Sequence, residues 1–256
     1  MTDPQALADA LIAAERDRTA IRPFTRRFPF LDVETAYKAQ ALFVEHRLRA
    51  GERVIGAKLG MTSRVKRYAL GIHEPVYGRL TSGMVLAFDE PLDVRALIHP
   101  RAEPEIAFLV GRRIEPSTSV TGVLAATEAV FPAIEVVDSR YAEPFQLPDS
   151  VADNAGAARV VLGAQARRPS ELDDLRYTGC VFRCRDGIKT AAGGAAMGHP
   201  AAAVAWLATA LGSRGEHLEA GAVVLTGGLT GSVPLQPGGV VTAEFDGLGP
   251  VGVHCR

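Results

Sequence analysis

Cysteine is scarce: the 256-residue chain has three, Cys180, Cys184 and Cys255. An odd number without metal-ligand spacing excludes a disulfide-stapled scaffold and a zinc finger. On one strand Cys180 and Cys184 would lie about 13 Å apart at ~3.3 Å per residue, too far for a bridge. All three are expected to be reduced, as in a cytoplasmic protein. An excess of either charge is also missing, with 28 Lys and Arg against 29 Asp and Glu. Phosphate neutralisation needs a basic surplus or patch, so no nucleic-acid partner is expected. Long apolar runs are absent too. The most apolar stretch, 193–212, is mostly alanine and is interrupted by His199 and Pro200, so no membrane span is expected. The acidic start Met1-Thr2-Asp3 has no basic segment ahead of an apolar one, and no signal peptide is read there.

What is present suits a folded enzyme-sized chain: hydrophobic residues make up 47% of the sequence and charged residues 22%. Asp3-Pro4 is a helix-start pair, predicting a helix over 4–17, and Asp32 opens a second that stops near Gly51. Residues 1–52 therefore form an expected N-terminal helical extension, and 53–256 the main domain. Beyond Gly51 the texture changes to short β-branched runs punctuated by Gly and Pro. Strands are expected at 54–59, 105–110, 133–137, 159–162, 179–184, 222–226, 240–245 and 251–255. Asp186-Gly187 marks a hairpin turn. Helices are expected at 119–129, near 150–157, and at 200–212 with Pro200 in the first turn. The mixture lacks the alternation of a doubly wound sheet, so the class is α+β with a rolled or barrel-like sheet core.

Within Arg101-Ala102-Glu103-Pro104-Glu105-Ile106-Ala107-Phe108 the two glutamates share a strand face, about 6.5–7 Å apart. They are either a solvated face or two ligands for one hard cation. Glu135 lies in the apolar run Phe131-Pro132-Ala133-Ile134-Glu135-Val136-Val137, where a buried carboxylate must be paired, metal-bound or protonated. An exposed edge strand is the alternative. Lys58, in Val54-Ile55-Gly56-Ala57-Lys58-Leu59, either snorkels outward or meets buried acids. Three carboxylates without His or Cys favour Mg²⁺ or Mn²⁺ over Zn²⁺. An ion so held leaves positions for a bidentate ligand such as a 2-oxo acid, and acts as a Lewis acid toward an enolate. Asp138 is a further ligand, a supporting acceptor or a strand-end cap. Thr226-Gly227-Gly228 offers bare N–H groups and a hydroxyl to a carboxylate, or is a simple turn. His73 and His199 are assigned structural roles.

Taken together, Gly56-Ala57-Lys58-Leu59-Gly60-Met61-Thr62-Ser63, Glu74-Pro75-Val76-Tyr77-Gly78, Glu103-Pro104-Glu105, Glu135-Val136-Val137-Asp138-Ser139-Arg140 and Val151-Ala152-Asp153-Asn154-Ala155 resemble the 2-oxopent-4-enoate hydratase and 4-oxalocrotonate decarboxylase family, within the fumarylacetoacetate hydrolase superfamily. The resemblance runs in order through nearly the whole chain. It implies a fumarylacetoacetate-hydrolase-like mixed β-roll or barrel core, Mg²⁺ or Mn²⁺ on Glu103, Glu105 and Glu135, and Lys58 as the catalytic cation. Thr226, Gly227 and Gly228 would then position substrate, with Asp138, Ser139, Arg140 and Asp153 supporting the ligands or touching substrate. Gly198-His199-Pro200, Arg214-Gly215-Glu216-His217, Tyr141 and the Gly-Gly after Thr226 are similar to the decarboxylase branch. That branch implies metal-dependent decarboxylation of a 2-oxo-3-enedioate through a stabilised dienolate, in meta-cleavage catabolism of aromatics. A hydratase acting on 2-hydroxypenta-2,4-dienoate is the alternative, and a non-catalytic partner of such a hydratase a weaker one. A small 2-oxo acid is the implied ligand, and a homo-oligomer or a complex with a related hydratase the implied assembly. One departure stands out: Gly156 occupies the position where the family pattern has Ser.

Overall fold

The computed structural model describes residues 2–69, 71–87 and 89–256, without the side chain of Lys66. Helix α1 (Pro4–Asp17) begins where expected, with the Asp3 side chain accepting from Gln5 N–H. A single turn, α2 (Phe24–Arg27), precedes α3 (Val33–Arg49), which Asp32 caps through Thr35 N–H. Next come β1 (Val54–Gly60), the short α4 (Arg64–Ala69) and β2 (Val76–Thr81). Two long strands, β3 (Pro100–Val110) and β4 (Thr127–Asp138), flank α5 (Val120–Ala126). Then follow α6 (Leu147–Ala152), β5 (Ala157–Leu162), the hairpin β6 (Gly179–Cys184) and β7 (Gly187–Ala192), and α7 (Pro200–Gly212). Strands β8 (Val223–Leu225), β9 (Val233–Pro234), β10 (Val240–Phe245) and β11 (Gly249–His254) close the chain.

The strands form two sheets: a seven-stranded one ordered β2-β1-β8-β3-β4-β5, with β9 alongside β3, and a four-stranded one ordered β11-β10-β6-β7. The large sheet is mixed, because β1 runs parallel to β8 while β8 runs antiparallel to β3. Side-chain alternation gives β3 and β4 two different faces. Ile106, Phe108, Ile134 and Val136 enter the main core with Phe182, Phe245 and Val253 of the small sheet and Leu207 of α7. Ala107 and Ala133, on the opposite face, pack with Leu80, Val160 and Leu225. Glu103, Glu105 and Glu135 share this second face by the same two-residue period. A third core joins the N-terminal helices to α6 through Leu7, Leu11, Phe43 and Val151. The α+β architecture with a curled sheet and N-terminal helices agrees with the sequence reading.

Several boundaries moved. Helix α6 runs over 147–152 rather than near 150–157, because residues 154–156 adopt left-handed φ values that no α-helix accommodates. Helix α5 stops at Ala126, where β-branched and apolar residues extend β4 back to Thr127. Strand β2 was missed because Gly78 interrupts its pattern. Strand β7 does not stand out in the sequence because it lies at a sheet edge, with Ile188 and Thr190 exposed and Lys189 half-buried. The three cysteines are free thiols, and His199 caps α7 by accepting from Ala201 N–H at 3.0 Å. Among the described residues no helix is long and apolar enough to cross a membrane.

Candidate metal and substrate site

The pairing register of the large sheet brings the acids together. Glu103 on β3 stands directly opposite Glu135 on β4, a pairing that leaves Cα atoms about 4.5–5.5 Å apart, and Glu105 is two residues along. One oxygen from each of the three carboxylates lies within 4.8 Å of the others. Glu105 and Glu135 are buried and Glu103 is partly exposed. Strand β8 ends at Leu225, one row short of Glu105, so the sheet opens between β1 and β3. Into that opening turns Thr226-Gly227-Gly228. Gly227 N–H donates to Glu105 Oε2 at 2.7 Å, at φ +99° and against Thr62, where any Cβ would collide with the Thr62 side chain.

Lys58 projects inward from β1 and is 3% exposed. Its Nζ lies 3.0 Å from Glu135 Oε1 and donates to the Ala155 carbonyl at 2.9 Å. Burial lowers the ammonium's pKa, but Glu135, Glu105 and Glu103 outweigh burial and hold it above the ordinary lysine value. Burial and the facing Glu135 push Glu105 well above the carboxylate range, and burial raises Glu135 as well. Three carboxylates facing one ammonium leave the site short of positive charge. Glu105 Oε1 and both Glu135 oxygens accept no hydrogen bond, although Lys58 stands beside one of them. Buried oxygens without donors are costly, and a hard divalent cation is what an all-carboxylate donor set fits. The residues therefore fit the Mg²⁺ or Mn²⁺ expected from the sequence.

A cavity of about 350 Å³ opens above this cluster, near the lower end of small-molecule sites. Lys58, Glu103, Ser139, Asp153, Gly156 and Gly228 all line it. Other expected residues are employed elsewhere. The Thr226 hydroxyl, expected to position substrate, is fully buried and donates to the Ile106 carbonyl at 2.9 Å. With Gly227 N–H spent on Glu105, only Gly228 of that triplet borders the cavity. Asp138 accepts from Ile98 N–H and His99 N–H, so it braces the entry to β3 rather than a ligand. Arg140, also expected near substrate, is 1% exposed and pairs with Glu15 of α1 at 2.7 Å and Asp153 Oδ1 at 3.3 Å. Burial raises the Asp153 carboxyl to about 7. Sequence reasoning missed His99 and Arg101, which line the cavity, with Arg101 held by Ser232. Arg101 precedes Glu103 by two residues, so the strand period already placed it on that face, whereas His99 lies just before β3. The Ala155 carbonyl, a backbone group, left no such trace.

A carboxylate-lined opening in a curled mixed sheet, with an inward lysine and a small cavity, defines a candidate metal-dependent enzyme of small organic acids. The chain belongs to the fumarylacetoacetate hydrolase family: the Fumarylacetoacetate (FAA) hydrolase C-terminal description matches residues 65–255. It is 38% identical over 247 residues to a 4-oxalocrotonate decarboxylase of Pseudomonas sp. (strain CF600), covering 95% of this chain and 93% of that one. It is 42% identical over 212 residues to a 2-hydroxypent-2,4-dienoate hydratase of Pseudomonas putida, covering 82% and 96%. Among solved structures, 4-oxalocrotonate decarboxylase from Pseudomonas putida G7, complexed with magnesium and adipate, superposes with a TM-score of 0.94 at 34% identity, covering 99% and 97%. The same enzyme complexed with calcium and acetate gives 0.93 at 35%, covering 100% and 99%.

Proposed function

We propose that this protein is a divalent-metal-dependent carboxy-lyase that removes CO₂ from a 2-oxo-3-enedioate of the 4-oxalocrotonate type. The observation that carries the reading is the buried cluster of Glu103, Glu105 and Glu135 with Lys58 at 3.0 Å from Glu135. Bound there, Mg²⁺ or Mn²⁺ would supply Lewis acidity toward a 2-oxo acid. Gly227 N–H fixes the Glu105 carboxylate, and Lys58 offers its ammonium to the substrate's 2-oxygen. The bond from C5 to the distal carboxylate carbon breaks, CO₂ leaves, and the electron pair passes through the conjugated chain to that oxygen. Negative charge gathers where Lys58 can donate, in a site largely shielded from water, where preorganised charge is most effective. Protonation at oxygen yields the 2-hydroxydienoate. No base is needed to start, consistent with His199 serving as a helix cap.

The hydratase reading is kept open by the identity to the 2-hydroxypent-2,4-dienoate hydratase. It would employ the same acids and lysine with a positioned water. Residues 1–52 act in this proposal as an extension that braces the 53–256 catalytic unit, supported by the Glu15–Arg140 pair. The protein is proposed to work in the cytoplasm, in keeping with its free thiols, as a homo-oligomer or with a related hydratase. Release of CO₂ from 2-oxohex-3-enedioate with Mg²⁺ or Mn²⁺, lost on adding EDTA, tests the main reading. Absence of CO₂ from metal-loaded protein that hydrates 2-hydroxypenta-2,4-dienoate would establish the alternative.

A further inference from the structure

Residues 154–156 are three consecutive residues in left-handed backbone, with φ of +53° at Asn154, +51° at Ala155 and +71° at Gly156. Glycine adopts this readily and asparagine tolerates it, but alanine does so only when its surroundings impose it. The imposing contacts come from β2. The Asn154 side chain clamps both backbone groups of Arg79: Oδ1 accepts from Arg79 N–H at 2.7 Å, and Nδ2 donates to the Arg79 carbonyl at 2.9 Å. The preceding β2 residue, Gly78, is the strand partner of Lys58, and a Cβ there would collide with the Asn154 backbone carbonyl. The clamp thus seats the turn on β2 beside the lysine's own register position. The consequence is that the Ala155 carbonyl is turned onto Lys58 Nζ at 2.9 Å.

We infer that Asn154 is a positioning residue for Lys58, acting through the Ala155 carbonyl and depending on the missing Cβ of Gly78. An ammonium has three N–H donors. One goes to Ala155, one faces Glu135, and the turn thereby aims the third into the cavity that Lys58 lines. Without the carbonyl, the flexible lysine stem would let the ammonium swing out of line with the cavity, so that it no longer meets substrate. The inference rests on the proposed role of Lys58, and its test is arranged so that either can fail alone.

In the Mn²⁺-loaded protein, Asn154→Gly retains the backbone freedom and removes the clamp, while Gly78→Ala pushes the turn off β2. Each is expected to lower kcat about ten- to a hundredfold, the scale for a misplaced group, with KM and Mn²⁺ affinity within about twofold. Oxalate, a bidentate mimic of the chelating end of a 2-oxo acid, gives a readout without turnover. Asn154→Gly should weaken oxalate binding in the native background and leave it unchanged in Lys58→Met, the non-additivity expected of residues acting as a unit. A crystal structure of Asn154→Gly should show Lys58 Nζ no longer bonded to Ala155. Losses that add in the Lys58→Met background, Mn²⁺ affinity falling in step with kcat, or Lys58 unmoved in the crystal would each overturn the inference. Should Asn154→Gly not fold, Asn154→Asp, which keeps the acceptor for Arg79 N–H and loses the donor, is read the same way. If the native protein turns over neither candidate substrate, the proposed reaction fails, and the oxalate cycle and the crystal still decide the role of Asn154.

Discussion

Two clusters of buried charge lie close together in this molecule and are built on opposite principles. In one, Glu15, Glu52 and Asp153 each meet a guanidinium group, that of Arg47 or Arg140, across α1, α3 and the segments after α3 and β4. Burial alone would raise Glu15, but Arg140 and Arg47 carry it below its ordinary value. In the other, Glu103, Glu105 and Glu135 share the ammonium of Lys58 and the backbone donor Gly227 N–H. Burial and mutual repulsion raise Glu105, and Glu105 Oε1 and both Glu135 oxygens accept no hydrogen bond. The balanced network joins the N-terminal helices to the sheet domain. The unbalanced cluster carries a cost that a bound divalent cation would relieve. Charge surplus, rather than burial, separates the proposed metal cluster from the network that joins the helices to the sheet.

Removing an acid from the unbalanced cluster should break this contrast most completely. Glu105→Gln is expected to lower Mn²⁺ affinity by more than about a hundredfold, since even partners outside the ligand shell cost 10–100-fold. Metal-free, the same variant should melt higher than the native protein, by about 2–4 °C for each kcal/mol of relieved burial cost. Calorimetric titration and a melting curve check both halves, and a lower metal-free Tm would contradict the surplus. Lys58→Met should reduce kcat by about 10²–10³-fold, the scale for a lost electrostatic donor, while Mn²⁺ affinity holds or rises. Loss of metal binding would show that the lysine maintains the cluster instead.

The balanced network should respond in stability and not in metal binding. Arg140→Met leaves buried Asp153 without its guanidinium, and urea unfolding should show about 3–5 kcal/mol of destabilisation with Mn²⁺ affinity unchanged. The same network also sets a slope with pH. Burial lets the Asp153 carboxyl hold its proton up to about 7 in the folded protein, well above the ordinary carboxylate range. Its contribution is therefore present below the unfolded value and lost as pH rises through about 7. Asp153→Asn should flatten the fall in unfolding free energy between about pH 4 and 7, and an unchanged slope would place that titration elsewhere.

The residues alone determined much of this protein. Helix caps at Asp3 and Asp32 and the Pro200 start located α1, α3 and α7, because capping is a local matter of orphan N–H groups. A two-residue period placed Glu103 and Glu105 on one face, and charges in apolar runs marked Glu135 and Lys58, because a buried charge must have a reason. Only the tertiary structure decided which polar groups face the cavity. Thr226, Asp138 and Arg140 carry chemistry suited to substrate, yet each is consumed by a partner distant in sequence: Ile106, His99 or Glu15. The early end of β8 opens the sheet, and the left-handed turn at 154–156 delivers a backbone carbonyl to Lys58. Backbone groups carry no residue signature, and hydrogen-bond partners far apart in the chain are chosen by packing, so these features exist only once the sheet and helices have met.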